Sequence, residues 1–562
     1  MKKQTINMFS FTLVVLLLIC TSHAASIVAS SQSRELQRRN SSSDVQPSVL
    51  GSVTDLHIVN KVISPDGFVR SATLAGGRFP GPLIQAQRGD RFEINAINQL
   101  EDKTMPLTTS IHWHGIFQKK SNWADGTSFI TQCPIPANRS FLHRFEAPGQ
   151  SGTYWYHSHF STQYCDGLRG PLVIYDPEDP LAHMYDVDDE NTVITLADWY
   201  HSPSTQLNQI VGAVTANSTL INGLGRYPGG PMSPLAVINV EQGLRYRLRI
   251  IGLSCDPWFN FTIDGHRMTI IEADGIETEP VEVDSLPVFA GQRYSVVVTA
   301  NQPVDNYWIR SLSNLPNQTF AGGQSSAILR YKGASEQDPT SQPGPYELAF
   351  DESQLHPLIN PGAPGIPEIG KADVNINLVP GNVNNRFTMN NVSYHNPPVP
   401  VLLQILSGAR HPMELLPNGS VYVLPPNKVI EVSVPATDQQ PGGAPGGPHP
   451  MHLHGHTFDV VRSAGNSSVN FANPVRRDTV SIGSQGDNVT FRFVTDNAGP
   501  WFFHCHIDFH LNTGFAVVMA ESPAEAAAQE SAGIPRYWDN LCPPNDTWTQ
   551  THLGTFNSSV LS

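Results

Sequence analysis

Short apolar runs, alternating or β-branched and bounded by Gly, Pro or Asn, recur along the chain and predict β-strands. Clear examples are residues 192–196, 246–250 and 294–298. Helical patterns are sparse, and the clearest covers residues 523–532. With 44 Gly and 46 Pro among 562 residues, many turns between short strands are expected. The pattern therefore predicts an all-β protein.

The N-terminus has the pattern of a secretory signal peptide over residues 1–24. Lys2 and Lys3 precede an apolar stretch, residues 8–20, that is too short to span a bilayer. Ser22-His23-Ala24 places small residues at the expected cleavage site. The alternative is an uncleaved anchor helix, which the short apolar stretch disfavours.

Residues 25–48 are predicted to form a polar leader. Arg38-Arg39 makes a dibasic pro-peptide cut one interpretation, and a disordered tail is the other. Eleven N-x-[ST] sequons occur, which together indicate a secreted, extracellular glycoprotein. Examples are Asn217, Asn260, Asn317, Asn391 and Asn488.

The charge balance limits the class of partner. The chain has 34 Lys+Arg against 49 Asp+Glu, a net charge of −15, so a broad electrostatic grip on nucleic acid or anionic lipid is excluded. We expect a monomer with no nucleic-acid partner and no membrane association.

Two histidine patterns occur twice, far apart in the chain. His112-Trp113-His114-Gly115 is echoed by His452-Leu453-His454-Gly455, and His157-Ser158-His159 by His504-Cys505-His506. Matched pairs of this kind suggest related domains at the two ends. The middle has strand patterns without such histidines. We predict three β-sandwich domains, over residues 49–179, 180–348 and 349–562.

In a β-strand, residues i and i+2 point to the same face. Each H-x-H pair can therefore direct two imidazoles at one site. Cys505 would point away from His504 and His506. A thiolate-bound metal on one face and a histidine-bound cluster on the other would then be joined by a few covalent bonds, along which electrons can pass.

The donor types favour copper. One Cys with two His is the blue-copper donor set, and His449, Cys505 and His510 supply it. No C-x-x-C motif suggests a zinc site, and a single candidate thiolate is too few for an iron–sulfur cluster. The other histidines, including His456 beside the motif, are interpreted as structural.

The remaining cysteines predict disulfides. Cys20 leaves with the signal peptide, and four others remain in an oxidising compartment. They predict two disulfides with three possible pairings, and spacing alone does not choose among them. The four are Cys133, Cys165, Cys255 and Cys542.

Four segments of the chain resemble the multicopper oxidases, most closely the fungal laccases of basidiomycete type. They are residues 112–126 with 132–134, 152–171, 449–456 and 499–520, and the resemblance runs from about Asp55 to Cys542. It implies three cupredoxin-like Greek-key β-barrel domains and the disulfides Cys165–Cys255 and Cys133–Cys542.

The resemblance also implies four copper ions and their ligands. His449, Cys505 and His510 correspond to the ligands of a type 1 copper, and His112 and His452 to the type 2 pair. The six type 3 ligands would be His114, His157, His159, His454, His504 and His506.

Four residues are expected to act in turnover. The exposed edge of His510 is the expected electron entry, and Asp256 resembles the carboxylate that accepts the phenolic hydrogen bond; its alternative is a turn-forming role before Pro257. Asp125 and Asp508 match positions linked to proton supply. Either could instead only orient a metal-bound histidine.

The implied function is that of a laccase, in which phenolic or aromatic reductants and O2 are the substrates and lignin phenols are one candidate reductant. The first alternative, a ferroxidase, would need several carboxylates at the type 1 site. The second is a copper-binding glycoprotein without turnover.

Departures from the family pattern are few: Met451 replaces a common aromatic, and the loop Pro441–Pro448 is long.

The axial position of the type 1 site generates the first prediction. Phe515 occupies it and has no donor atom, although plain core packing is the alternative. A missing thioether leaves Cu(II) less stabilised, so a high reduction potential is expected. Potentiometric titration measures it, and a value among those of Met-ligated sites would contradict the prediction.

Overall fold

Pairs of β-sheets follow one another along the chain. The computed structural model describes residues 45–208, 214–315, 319–416, 419–437 and 448–542. The signal peptide, nearly all of the leader, most of the loop Pro441–Pro448 and the tail after Cys542 lie outside the described residues, so the predictions made for them stay predictions.

The first pair of sheets contains nine strands among the described residues. One sheet has the order β1-β4-β9-β8-β6 and the other β3-β2-β5-β7. The strands are β1 (Val49–Leu50), β2 (Val53–Ile63), β3 (Arg70–Ala75), β4 (Leu83–Gln87), β5 (Arg91–Gln99), β6 (Ile111–His114), β7 (Ser140–Glu146), β8 (Gly152–Ser158) and β9 (Arg169–Tyr175).

The second pair has the orders β11-β10-β13-β18-β15-β16 and β12-β20-β19-β14-β17. Its strands are β10 (Val193–Trp199), β11 (Ser218–Ile221), β12 (Val237–Val240), β13 (Arg245–Gly252), β14 (Phe259–Ile263), β15 (Met268–Ala273), β16 (Ile276–Val283), β17 (Leu286–Val288), β18 (Arg293–Thr299), β19 (Asn306–Ser313) and β20 (Ser326–Tyr331). The three example strands predicted in this region are confirmed.

The third pair has the orders β21-β25-β30-β27-β28 and β24-β32-β31-β26-β29, with a separate hairpin β22-β23. Its strands are β21 (Val374–Asn377), β22 (Pro380–Val383), β23 (Arg386–Met389), β24 (Val421–Leu424), β25 (Val429–Pro435), β26 (Pro450–Leu453), β27 (Phe458–Arg462), β28 (Val475–Arg477), β29 (Thr479–Ser481), β30 (Asn488–Val494), β31 (Gly499–Cys505) and β32 (Ala516–Glu521).

Helices are short and few among the described residues. The longest, α5 (Pro523–Gly533), confirms the helix predicted over residues 523–532. None of the described helices has the length and apolar character needed to cross a membrane. The α-helices are α1 (Ser204–Leu207), α2 (Val401–Leu406), α3 (Pro412–Leu415), α4 (Asp508–Asn512), α5 (Pro523–Gly533) and α6 (Arg536–Asp539).

Burial follows from the position of each strand. Along β5, buried residues alternate with more exposed ones, because one face meets the core and the other meets solvent. Every residue of β8 and β31 is buried, because these strands are covered on both faces. Both of these fully buried strands carry histidines of the paired motifs.

The three sheet pairs repeat one topology. An early strand of each pair runs parallel to a later one: β2 with β5, β10 with β13, and β21 with β25. The prediction of three cupredoxin-like β domains is confirmed. The boundaries at residues 49, 180 and 349 stay predictions.

Two disulfides tie distant segments together. They are Cys133–Cys542, which joins residues 409 positions apart, and Cys165–Cys255, which joins residues 90 positions apart. Both pairings implied by the resemblance are confirmed. The first anchors the end of the third sheet pair to the first, and Cys505 remains a free, buried thiol.

Removing the longer cross-link should destabilise the fold. The double variant Cys133→Ser/Cys542→Ser is expected to lose about 2–5 kcal/mol of unfolding free energy, because its denatured state gains the entropy of a long open loop. Denaturant or thermal unfolding measures the loss. The variant Cys165→Ser/Cys255→Ser, which opens a shorter loop, should lose less, and an unchanged midpoint in the first variant would contradict the expectation.

Candidate metal centres

The eight imidazoles of the four H-x-H pairs face one another between the first and third sheet pairs. We call them the histidine cluster. Their ring nitrogens form trios in which all ligand atoms lie within 4.8 Å of one another. The trios are His112, His114 and His452; His114, His157 and His506; and His159, His454 and His504.

Strand pairing places the cluster residues. His112 on β6 lies opposite His157 on β8, and His452 on β26 lies opposite His504 on β31. Both members of a pair lie on one strand only at β6. In the other three pairs the strand ends before the second histidine, so His159, His454 and His506 approach from the strand ends.

Stacked rings join the two halves of the cluster. The ring centroids of His112 and His454 are 3.9 Å apart, and those of His114 and His452 are 3.8 Å apart. Each stack pairs a residue of the first sheet pair with one of the third. The cluster therefore exists only when both ends of the chain are folded together.

Hydrogen bonds orient several of these rings for metal binding. Nδ1 of His112, His157 and His452 lies 2.9 Å from a backbone carbonyl oxygen, to which an Nδ1–H can donate. Their Nε2 atoms are buried and have no hydrogen-bond partner among the described residues. A carbonyl on one nitrogen and a lone pair on the other is the usual arrangement of a metal-binding histidine. The residues therefore fit a bound metal.

Burial also favours the neutral form of several cluster imidazoles. It lowers the pKa of His157, His159 and His504 well below the usual value, and neighbouring histidines lower it further. The same causes act on His454 and His506. Metal ligation requires deprotonated imidazole, so these rings are in the ligating state at neutral pH.

Two buried carboxylates contact different rings of the cluster. Oδ1 of Asp125 lies 3.2 Å from Nδ1 of His112, and its Oδ2 lies 3.0 Å from Nδ1 of His454. Oδ1 of Asp478 lies 3.2 Å from Nε2 of His114. Each carboxylate contacts a ring nitrogen, so each can orient a ring or exchange a proton with it.

A second centre, which we call the sulfur site, comprises His449, Cys505 and His510. Sγ of Cys505 lies 3.7 Å from Nδ1 of each histidine, and the two Nδ1 atoms are 3.2 Å apart. Burial lowers the pKa of His449 to about 3. One soft thiolate and two neutral imidazoles in a compact triangle suit copper.

Phe515 closes one side of the sulfur site. It is fully buried, and its ring centroid lies 5.0 Å from that of His449. Phe387 stacks on it at 4.7 Å and lies 4.5 Å from the ring of His510. Two aromatic rings, neither with a donor atom, therefore line this side, and both shield it from water.

The two centres are adjacent in the chain. Cys505 belongs to the sulfur site, and its neighbours His504 and His506 belong to the histidine cluster. The predicted opposition of the thiol and the two imidazoles agrees with this arrangement. One peptide bond joins Cys505 to each of the two histidines.

Asp256 and Asp508 lie on the side of the sulfur site. The N–H of Asp508 donates to the carbonyl of Cys255 at 2.9 Å, which ties α4, the helix of His510, to the Asp256 segment. Burial, with the charge of Asp198, raises the pKa of Asp256 to about 8. Asp508 is buried, and no contact between its carboxylate and a cluster imidazole is found among the described residues.

Sequence reasoning missed several residues at the cluster. Asp478 and Thr479 contact His114, and the hydroxyl of Tyr164 lies 3.4 Å from Nδ1 of His506. Asp478 is 364 positions from His114, and no local motif marks it. The exclusion of His456 agrees with its contact to Glu521, at 2.9 Å and away from the cluster.

Three segments of the chain match the multicopper oxidase family, at residues 57–179, 190–334 and 394–525. Together they cover more than half of the sequence. The chain belongs to the multicopper oxidases. Among curated multicopper oxidases it is 56% identical over 497 residues to Laccase-4 of Trametes villosa, covering 88% of this chain and 94% of that one. It is 55% identical to the laccase of Pycnoporus cinnabarinus, over 91% and 97%.

Solved multicopper oxidase structures share the fold. The laccase of Botrytis aclada superposes with a TM-score of 0.77 at 30% identity, covering 91% of this chain and 94% of that one. Fet3p, a multicopper oxidase that functions in iron import, also gives a TM-score of 0.77, at 27% identity over 92% and 98%. Family membership implies copper, and the donor sets of both centres agree with it.

The separation of the two centres predicts separable spectra. In copper-loaded Cys505→Ser, the intense thiolate–copper band should disappear because the sulfur donor is gone, while copper should stay at the histidine cluster. In His454→Ala, the band should remain and cluster copper should fall. Absorption and copper analysis measure both effects. Loss of all copper in both variants would contradict two independent centres.

Proposed function

We propose that the chain is a secreted laccase, which oxidises phenolic or aromatic compounds by one-electron steps and reduces O2 to water. The observation that carries the proposal is the position of Cys505, in the sulfur site and directly between two histidines of the cluster. Storage of copper does not need two centres joined through one residue. Family membership and the laccase relatives support the same conclusion.

Four copper ions fit the donor groups. We assign a type 1 ion to His449, Cys505 and His510, a type 2 ion to His112 and His452, and a type 3 pair to the two remaining trios: His114, His157 and His506, and His159, His454 and His504. Bound copper supplies one-electron oxidation at the sulfur site and four-electron reduction of O2 at the cluster.

The protein positions a reducing substrate at His510. The His510 side chain is partly exposed, whereas His449 and Cys505 are buried. Of the three residues, His510 is therefore the one that an aromatic molecule can approach. Asp256 is also partly exposed and lies on the segment bonded to α4. Its carboxylate can accept the proton that a phenol releases on oxidation.

Reduction of O2 consumes protons, and Asp125 is placed to deliver them. Its Oδ2 accepts a 2.6 Å hydrogen bond from the Thr127 hydroxyl and contacts Nδ1 of His454. We assign it a combined role in proton supply and ring orientation. Asp508 lies on α4, the helix that carries His510, and we propose that it supplies protons from that side. Phe515 is assigned as the non-coordinating axial neighbour.

A ferroxidase is the second candidate because Fet3p shares the fold. Ferrous iron would need several carboxylates near His510, and Asp256, on the segment bonded to the helix of His510, is the one candidate that the sequence offers. Its neighbour Asp198 is fully buried and paired with Arg169 at 2.9 Å, so it cannot bind an incoming ion. The structure therefore favours the phenol reaction.

Asp256 gives the decisive test. Asp256→Asn should lower kcat/KM for a methoxyphenol about 10- to 100-fold, the equivalent of losing a hydrogen bond to a charged group. Oxidation of ferrocyanide, which releases no proton, should be unchanged. O2 uptake measures both reactions. Faster uptake with ferrous iron than with the phenol in the parent enzyme would overturn the proposal.

The raised pKa of Asp256 predicts a pH dependence. The carboxyl becomes an acceptor as pH rises toward its pKa of about 8. The ratio of kcat/KM for the phenol to that for ferrocyanide should therefore rise with pH up to about 8 in the parent enzyme and lose this rise in Asp256→Asn. The same slope in both proteins would exclude Asp256 as the proton acceptor.

A further inference from the structure

The second sheet pair supplies no residue to the histidine cluster, but one of its turns reaches the cluster. The turn lies between β17 and β18. Gly291 has φ +85°, and a Cβ there would lie 2.9 Å from Cδ2 of His506 and 3.0 Å from Cε1 of His114. Only a residue without a side chain lets the backbone approach these rings so closely.

Arg293 follows this turn and is fully buried. Its Nη1 and Nη2 donate to the two carboxylate oxygens of Asp478, each at 2.7 Å. Its Nε donates to the carbonyl of Thr153 on β8 at 3.0 Å. One guanidinium therefore joins a strand of the first sheet pair, the second pair and a residue of the third.

Asp478, which Arg293 holds in place, in turn contacts two histidines of the cluster. Its Oδ1 lies 3.2 Å from Nε2 of His114 and accepts a 2.8 Å hydrogen bond from the Thr479 hydroxyl. Its backbone oxygen lies 2.9 Å from Nδ1 of His452. Nε2 of Gln292 donates to the Thr479 carbonyl at 3.1 Å, so the turn holds this segment at a second point.

We propose that Arg293 is a positioning residue of the histidine cluster, which it orients by holding the Asp478 carboxylate against His114. The second sheet pair thus sets the affinity of a metal centre to which it gives no ligand. This inference rests on the proposed copper cluster. A buried ion pair can stabilise a fold without affecting a metal site, and the role proposed for Arg293 goes beyond such stabilisation.

The physical basis of the proposal is the forked geometry of the guanidinium group, whose two Nη atoms bond to the two carboxylate oxygens of Asp478. A guanidinium holds both carboxylate oxygens in one plane, whereas a lysine ammonium is a point charge that cannot reproduce two parallel bonds. Partners that orient a ligating histidine typically change metal affinity by 10–100-fold when they are altered. Arg293→Lys keeps the charge and removes the fork.

Arg249 offers a matched control. It is buried, lies on β13 beside β18, and its Nη1 donates to the hydroxyl of the same Thr153 at 3.0 Å. Its other bonds go to Asp188 and, at 3.5 Å, to Glu272, and none goes to Asp478 or to a cluster histidine. Arg249→Lys therefore disturbs a comparable ion pair without touching Asp478.

The experiment compares the full-length parent protein with Arg293→Lys and Arg249→Lys, each loaded with copper and dialysed against graded chelator. Copper per chain and the paramagnetic resonance signal of type 2 copper report the cluster, and the thiolate–copper band reports the sulfur site. Thermal unfolding of the copper-free proteins reports stability. Gln292→Ala serves as a milder second probe of the same turn.

Arg293→Lys should release cluster copper at about 10- to 100-fold lower chelator concentration, with the thiolate–copper band retained. Gln292→Ala should shift release in the same direction by a smaller factor. Arg249→Lys should match the parent in copper release, whatever it does to unfolding. In an Asp478→Asn background, Arg293→Lys should add little, because its route of action is gone.

Equal copper release from Arg293→Lys and Arg249→Lys would overturn the inference, and so would full additivity with Asp478→Asn. In both cases a parent protein that retains cluster copper and oxidises phenol leaves the proposed function standing. A parent protein that shows the thiolate–copper band but holds no cluster copper would overturn the proposed function together with the inference.

Discussion

The contact on which the molecule depends is the meeting of imidazoles from its two ends. His112 stacks on His454 and His114 on His452, so neither half of the cluster is complete alone. A metal site built at the interface between two sheet pairs needs a rigid interface, because ligand positions must hold to a fraction of an ångström. The long-range disulfide Cys133–Cys542 and the fully buried strands β8 and β31 serve that requirement.

Buried charge provides the second support. Asp125 and Asp478 contact different rings of the cluster, and each is held by further hydrogen bonds. A buried carboxylate without partners would be costly, so its pairing decides whether it can remain as an ion beside the rings. The middle sheet pair, which lacks ligands, contributes through Arg293 and the close approach of Gly291. Residues from all three sheet pairs therefore contribute to the surroundings of one site.

The sulfur site differs from the cluster in exposure. His449, Cys505 and Phe515 are buried, and only His510 is partly open. In the proposed reaction, an aromatic reductant would meet this ring edge. Asp256 is also partly exposed and lies on the segment bonded to the helix of His510, so proton acceptance and electron entry would be adjacent, while O2 chemistry is assigned to the enclosed cluster on the other side of Cys505.

Much of this could be predicted from the sequence, because the relevant signals are local. The H-x-H spacing, the doubled motifs and the Cys505 alternation place donor atoms within a few residues of one another, and short bounded apolar runs predicted the strands. Asp478, Thr479 and Arg293 were not found. Asp478 and Thr479 contact His114 from 364 and 365 positions away, and Arg293 bonds to Asp478 across 185 positions. No short motif records such contacts. The sequence by itself determined the candidate ligands and the strand class. Only the tertiary structure decided which charged groups contact those candidate ligands, because packing of separate sheets, not chain proximity, brings them together.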